Sequence, residues 1–305
     1  MVNILQRKLN ENRLNSEETM KYKATVLLLS LLASAPTLAG NRTPFEAQTN
    51  LLDKNIALEN APTIRVATFN MAASRVSKLT DIAKAIKAMD ADVVALQEVD
   101  VLTGRSGKVD QAKELSKLTG YNVEFGRAID FDGGQYGLAI MSKHEIVKTD
   151  ITELPSGERE QRIAFEAHVR VPGFDVPVTI FNSHLDTKEN PEIRLGQVWK
   201  LNDTSIDTRG IKILLGDMND VPKTSTLNEL SRYWNNLTEN VAIDSRSWPA
   251  GNPEIQVDYI FTSKAQKWQV DELVVPQKNS KYAGVDWPSV TDHLPVIATL
   301  RMLEQ

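Results

Sequence analysis

From Thr63 onward, short apolar runs alternate with amphipathic stretches. The run TIRVATFN is β-rich. In RVSKLTDIAKAIKAMD, Leu79, Ile82, Ala83, Ile86 and Met89 fall on one face at helical spacing. DVVALQEV is a continuous apolar run ending in polar residues, as expected of a buried strand. VDQAKELSKLTG predicts a helix closed by Gly120. Successive strands are then predicted at YGLAIMSK, IVKTDITEL, QRIAFEAHVRV and PVTIFNSHL. In the third of these, Ile163, Phe165, Ala167, Val169 and Val171 alternate strictly, which predicts one buried face. A helix returns around residues 191–205, followed by a buried strand at IKILLGDM and three closing strands at QVDYIFTS, WQVDELVV and HLPVIATLRM. This mixture fits an α/β fold with two mixed sheets packed face to face and helices outside better than a doubly wound parallel sheet. No internal repeat, low-complexity segment or linker interrupts residues 63–305, so one catalytic-sized domain is expected there.

The beginning of the chain reads differently. MKYKATVLLLSLLASAPTLAG, from Met20 to Gly40, has a basic start at Lys21 and Lys23. An apolar run from Ala24 to Ala35 follows, too short to span a bilayer as a helix. Small residues come next, with an acceptable cleavage site at Thr37-Leu38-Ala39. A signal peptide over residues 1–39 is expected, with 1–19 as an upstream extension or Met20 as the true start. Residues 40–62 form a loose lead-in, and the mature protein is expected in the periplasm or outside the cell.

Composition narrows the chemistry. The chain has 305 residues, 41% hydrophobic and 25% charged, as in ordinary globular proteins, with a net charge of −5. The bulk charge does not suggest avid nonspecific nucleic-acid binding. There is no cysteine, which excludes disulfides, thiolate metal sites and cysteine nucleophiles.

Polar residues recur where apolar runs end: Asn70, then Gln97 and Glu98, Asn182 and His184, Asp217 and Asn219, Asp258, and the pair Asp292 and His293. A single strand-end Asp or Asn caps a turn more often than it catalyses. Six such ends converging on one rim are harder to dismiss. In this order TFN, LQEVD, NSHL, GDMN, VDYIF and TDHLPV resemble the endonuclease/exonuclease/phosphatase superfamily over residues 63–302, with GGQYGLAIMSK and the pair Glu160 and Arg162 agreeing. The resemblance implies a DNase I-like four-layer α-β-β-α sandwich and a divalent-metal phosphoesterase.

The same resemblance implies the roles. Glu98, Asn70 and Asp292 would hold Mg²⁺ or Mn²⁺, a hard cation that prefers oxygen ligands. His293, oriented by Asp258, would be the general base toward water. Asp217 and Asn219 would position that water and the phosphate, and His184 would bind the phosphate or protonate the leaving oxygen. Asn182, Tyr136 and Arg162 would contact substrate. His144 and His168 are expected on the surface. Gln135, Leu138 and Gln256 depart from residues common in the family. The implied activity is phosphoric ester hydrolysis, most readily of diesters, by a monomer without a protein partner. The alternatives are a secreted nuclease, a phospholipid or small-phosphoester hydrolase, or an inactive phosphate-binding module. An acidic pI and the lack of a visible Lys/Arg cluster weigh against nucleic acid. Trp248 and Trp287, each before a proline, are expected to roof the pocket.

Overall fold

Each sheet is built around one parallel strand pair, and each such pair needs a long crossover connection. A computed structural model describes residues 60–239, 243–276, 282 and 284–304. The expected signal peptide and most of the lead-in fall outside the described residues. From Asn60 the chain forms one compact unit. β1 (Thr63–Asn70) runs parallel to β2 (Val93–Val101), with helix α1 (Leu79–Met89) between them. β7 (Val178–His184) runs parallel to β8 (Ile211–Asp217), with helix α3 (Glu192–Asp207) between them. The remaining strand pairs are antiparallel. The first sheet adds β3 (Asn122–Phe131), β4 (Gly134–Ser142), β11 (Lys267–Val274) and β12 (Val296–Glu304), in the order β11-β12-β1-β2-β4-β3. The second adds β5 (Ile146–Leu154), β6 (Arg162–Val169), β9 (Trp234–Asn236) and β10 (Asp258–Ser263), in the order β5-β6-β7-β8-β10-β9. Helices α2 (Gln111–Thr119) and α4 (Ser225–Leu230) complete the set. The four-layer sandwich expected from the sequence is the fold observed.

Local chemistry accounts for most boundaries. α1 buries Ile82, Ala83, Ile86 and Met89, as its periodicity predicts. α2 starts where the Asp110 side chain accepts from Lys113 N–H and stops at Gly120, whose φ of +83° suits glycine. β6 differs from the reading of one buried face: Ala164 and Glu166 are buried as well as Ile163 and Phe165. The reason is a second apolar layer, in which Ala164 and Phe181 pack with Val198 and Leu201 of α3. β3 escapes sequence reading because its burial is patchy and it carries Glu124, Arg127 and Asp130.

Both parallel pairs point their carboxyl ends the same way, and this register positions the site. Asn70 pairs with Gln97, while His184 pairs with Asp217, which in turn faces Asp258 across the antiparallel β8–β10 pair. Gly216 allows β7 and β8 to approach here, since a Cβ on it would collide with the Ser183 carbonyl.

Asn182 binds the two sheets together. It is fully buried, its carbonyl accepts from Gln97 Nε2 at 2.7 Å, and its amide donates to the carbonyls of Leu96 (2.9 Å) and Ala139 (3.0 Å). Both its amide hydrogens and its carbonyl are engaged within the seam and the side chain is fully buried, so the structure gives it no face toward a substrate, contrary to the expectation from sequence. Asn182→Ala is therefore expected to lower unfolding stability by about 2–4 kcal/mol, because buried partners lose their hydrogen bonds. Denaturant unfolding checks this. A raised KM with unchanged stability would return Asn182 to substrate contact.

Candidate active site

At the shared carboxyl ends lies a cleft of about 260 Å³, lined by Glu98, Tyr136, Arg162, His184, Asp217, Asn219 and His293, with Arg75, Arg105, Phe131, Glu160 and Thr187 at its rim. Seven of the residues expected from the sequence thus meet in one place.

Asp217 sits at the seam of the two sheets. It is 1% exposed, its Oδ2 accepts from Asn70 Nδ2 of the first sheet at 3.0 Å, and its Oδ1 accepts from Asn219 N–H at 2.9 Å. Asn219 itself takes a left-handed conformation, φ +47°, which asparagine tolerates better than most residues. Its amide donates to the Leu185 carbonyl. Burial, reinforced by the neighbouring Asp258 charge, pushes the Asp217 carboxyl up to about 7.

His293 lies beside it, with Nε2 3.8 Å from Asp217 Oδ2. Its Nδ1 is 2.9 Å from Asp258 Oδ2. Asp258 is fully buried at the start of β10; the Ser247 hydroxyl accepts its backbone N–H, and its Oδ1 is buried without a hydrogen-bond partner. Burial works against a charged imidazole, but Asp258 and then Asp217 outweigh it, so His293 is pushed up to about 10. His184 behaves oppositely. Burial, then Arg162 and His293, hold it well below the ordinary histidine value, so it is neutral. Its Nε2 is 3.6 Å from Asp217 Oδ2. The two histidines beside this carboxylate are thus shifted in opposite directions.

Glu98 reaches the cleft through a local irregularity. The β2–β4 register shifts between Leu96 and Val99, and Glu98 takes φ +55°, which turns its side chain out of the ladder. Its Oε1 accepts from Asn70 Nδ2 at 3.3 Å and its Oε2 pairs with Arg75 Nη2 at 2.6 Å. Tyr136 is nearly buried, and burial, then Glu98, pushes its hydroxyl far above the tyrosine range. Arg162 pairs with Glu160 through Nη1, while its Nε is buried without a partner.

The donor set fits a divalent cation. Glu98 offers carboxylate oxygens on the cleft wall and shares Asn70 Nδ2 with the Asp217 carboxylate, so hard oxygen donors from both sheets lie together. The expected metal ligands separate, however. Asn70 has its Oδ1 occupied by Ala72 N–H. Asp292 is exposed, accepts from the Thr291 hydroxyl and does not line the cleft, because its neighbour His293 points inward and adjacent residues point apart.

Sequence reading singled out Arg162 but missed Arg75 and Arg105. Arg75, Arg105 and Arg162 come from three distant segments, so no basic cluster is visible along the chain. Arg105 is held by two hydrogen bonds to buried Asp100 and lies over the rings of Phe131 (4.5 Å) and Tyr136 (5.3 Å). The tryptophans also differ from expectation. Trp287 is buried against Tyr282, and Trp248 is exposed opposite Ile255; neither lines the cleft. His144 and His168 are half-buried, bonded to Asp92 and Thr179.

The model of the endonuclease/exonuclease/phosphatase family matches residues 67–293. Solved structures agree in fold. An endonuclease/exonuclease/phosphatase from Beutenbergia cavernae is 23% identical, covering 79% of this chain and 72% of its own, with a TM-score of 0.60. A Bacteroides thetaiotaomicron mannosyl-6-phosphatase is 18% identical over 78% of this chain and 99% of its own, with a TM-score of 0.63. The catalytic domain of human Nocturnin, solved with a sulfate anion, is 19% identical over 79% and 94%, with a TM-score of 0.59. No curated protein is similar enough to match. The chain belongs to the endonuclease/exonuclease/phosphatase family.

Proposed function

We propose that the protein is a divalent-metal-dependent phosphoric ester hydrolase, acting most readily on diesters through attack by water. The observation that carries this reading is Asp217. It is a carboxylate at the seam of both sheets, in contact with Asn70, between a charged and a neutral histidine, inside a cleft rimmed by arginines. Family membership supports the class of reaction, since the relatives include a phosphatase and a protein solved with a bound sulfate.

Glu98 would hold the cation, with Asn70 beside it. The chemistry such an ion would supply is charge stabilisation at a phosphoryl oxygen and a lowered pKa for neighbouring groups. Arg162 and Asn219 bind and orient the phosphate. Proton handling departs from the expectation that His293 is the base. At neutral pH His293 already holds its proton against Asp258, whereas Asp217, pushed up to about 7, is poised to accept one. Asp217 therefore takes the proton from water. The His293 imidazolium stabilises negative charge on the phosphoryl group, and neutral His184 donates a hydrogen bond. Export through residues 20–39 is part of the same proposal and is read by fractionation of cells expressing the full chain.

Three outcomes test this reading. With Mg²⁺ or Mn²⁺, bis-p-nitrophenyl phosphate should be hydrolysed, and Asp217→Asn or His293→Ala should each lose about 10³-fold in kcat/KM. Equal rates in parent and variants would remove these residues from the chemistry. Absence of turnover for any ester would favour the phosphate-binding module.

The cation should also raise the melting temperature of the parent, as any ligand bound only by the folded state does. Glu98→Gln should abolish that shift. A shift that survives would place the ion elsewhere.

The pH profile separates the two candidate bases. If Asp217 accepts the proton and His293 must keep its own, kcat/KM rises through an acidic limb set by Asp217 and falls through an alkaline limb set by His293, both at lower pH with the cation bound than the metal-free groups would give. Asp217→Asn removes the acidic limb. If His293 is the base, the rate instead climbs through the higher pKa and does not fall there.

A further inference from the structure

Beneath the catalytic cleft lies a small cavity of about 10 Å³ that shares Tyr136, Arg162 and His184 with it and is further lined by Ala128, Gly137 and Leu138. A bulge shapes one wall. The β3–β4 register shifts between Arg127 and Ile129, so Ala128 is an extra residue that bends β3 locally. Two buried polar atoms of the shared residues, Arg162 Nε and His184 Nδ1, have no hydrogen-bond partner among the described residues. Both side chains are more than nine-tenths buried, at 8% and 5% exposure. Their other ends are engaged on the cleft side. Arg162 Nη1 pairs with Glu160 at 3.0 Å, and His184 Nε2 lies 3.6 Å from Asp217 Oδ2.

Leaving such atoms unpaired is costly, and a buried water that bridges them is the usual remedy. The volume matches the ~10–15 Å³ that one water needs. A chloride, which would suit two N–H donors, is larger than this space. The chemistry of the pair then fixes the direction of each bond. Arg162 Nε can only donate, so a water that accepts from it keeps both its hydrogens to give. His184 is neutral, so one ring nitrogen carries a hydrogen and the other a lone pair. A water donating to Nδ1 places that hydrogen on Nε2, the nitrogen that faces Asp217. A cation in the cleft would disfavour the charged ring further and leave this arrangement unchanged.

We propose that this cavity is a binding site for a single water molecule, which bridges Arg162 Nε to His184 Nδ1 and holds His184 as the Nε2–H tautomer. His184 then presents a hydrogen-bond donor to the cleft instead of a lone pair. It serves an oxygen of the substrate or of Asp217, and it does not coordinate a cation through Nε2. The water touches no reacting atom; it acts through His184, as a positioning element. The consequence for turnover rests on the hydrolase reading above, whereas the water site itself does not.

A crystal structure of the full chain with Mg²⁺, at a resolution that shows ordered waters, should reveal one water within hydrogen-bond distance of both atoms. Nitrogen-15 spectra at neutral pH should show His184 hydrogenated on Nε2. Leu138, an apolar wall residue of the cavity that does not line the cleft, probes the consequence. Leu138→Phe fills the cavity. It should exclude the water, admit the Nδ1–H tautomer and lower kcat on bis-p-nitrophenyl phosphate about tenfold with little change in KM. Leu138→Asn offers a carbonyl to accept from Arg162 and an amide to donate to His184 in place of the water. It should keep the Nε2–H tautomer and stay within about threefold of the parent rate. No water between the two atoms of the parent, or His184 hydrogenated on Nδ1 there, overturns the proposal whether or not the variants fold. A Leu138→Phe protein that lacks the water and keeps the parent kcat overturns its part in turnover. A parent that hydrolyses no ester overturns the hydrolase reading alone, since structure and spectrum still decide the water site.

Discussion

A carboxylate buried where two sheets meet is the constraint around which the site is arranged. Asp217 ends β8, yet one of its oxygens is bonded across the sandwich to Asn70 at the end of β1. Removing a charge from water is costly unless it is paired, and the structure supplies the pairing unevenly. Asn70 and the Asn219 N–H favour the charged form, His293 favours it further, and Asp258 opposes it. The outcome is a carboxyl pushed up to about 7, well above its ordinary value. The same bond ties the orientation of Asn70, and with it Glu98 and the Ala72 turn, to the position of β8. A shift between the sheets would disturb the proton acceptor, the candidate metal carboxylate and the arginine wall together.

The strand framework was legible in the sequence because buried parallel strands are continuous apolar runs, and the helix over Leu79–Met89 shows its period plainly. Strand ends could be recognised as polar residues terminating those runs. What the sequence cannot display is the second bond each residue makes. Asn182 and Asn70 both end apolar runs, and nothing local distinguishes them. One closes the seam and the other faces the site, because Asn182 meets the carbonyls of Leu96 and Ala139 while Asn70 meets Asp217. Asp292 and His293 show the same effect at a single step along the chain: one faces solvent and the other is buried.

Local charge escapes the sequence for a related reason. The net charge of −5 and the absence of a basic run argue against a polyanionic substrate only if cations must be neighbours in sequence. Arg75 follows β1, Arg105 lies after β2 and Arg162 opens β6; the topology brings all three to one rim. Of their acidic partners, Asp100 is buried behind Arg105, whereas Glu98 and Glu160 line the cleft beside Arg75 and Arg162. A local field of this kind depends on which side of each ion pair faces the cleft, and the total charge of the chain carries no information about it.

The two histidines carry this reasoning one step further. His184 and His293 belong to similar strand-end motifs, lie at similar distances from Asp217 and are both nearly buried. They differ in their second neighbour. His293 has a carboxylate on Nδ1, whereas the Nδ1 of His184 has no partner and its surroundings add Arg162. Burial disfavours charge on both rings; Arg162 adds to it at His184, whereas the carboxylate on Nδ1 outweighs it at His293. The division of labour around Asp217 therefore turns on Asp258, the carboxylate that overcomes at His293 the burial that keeps His184 neutral.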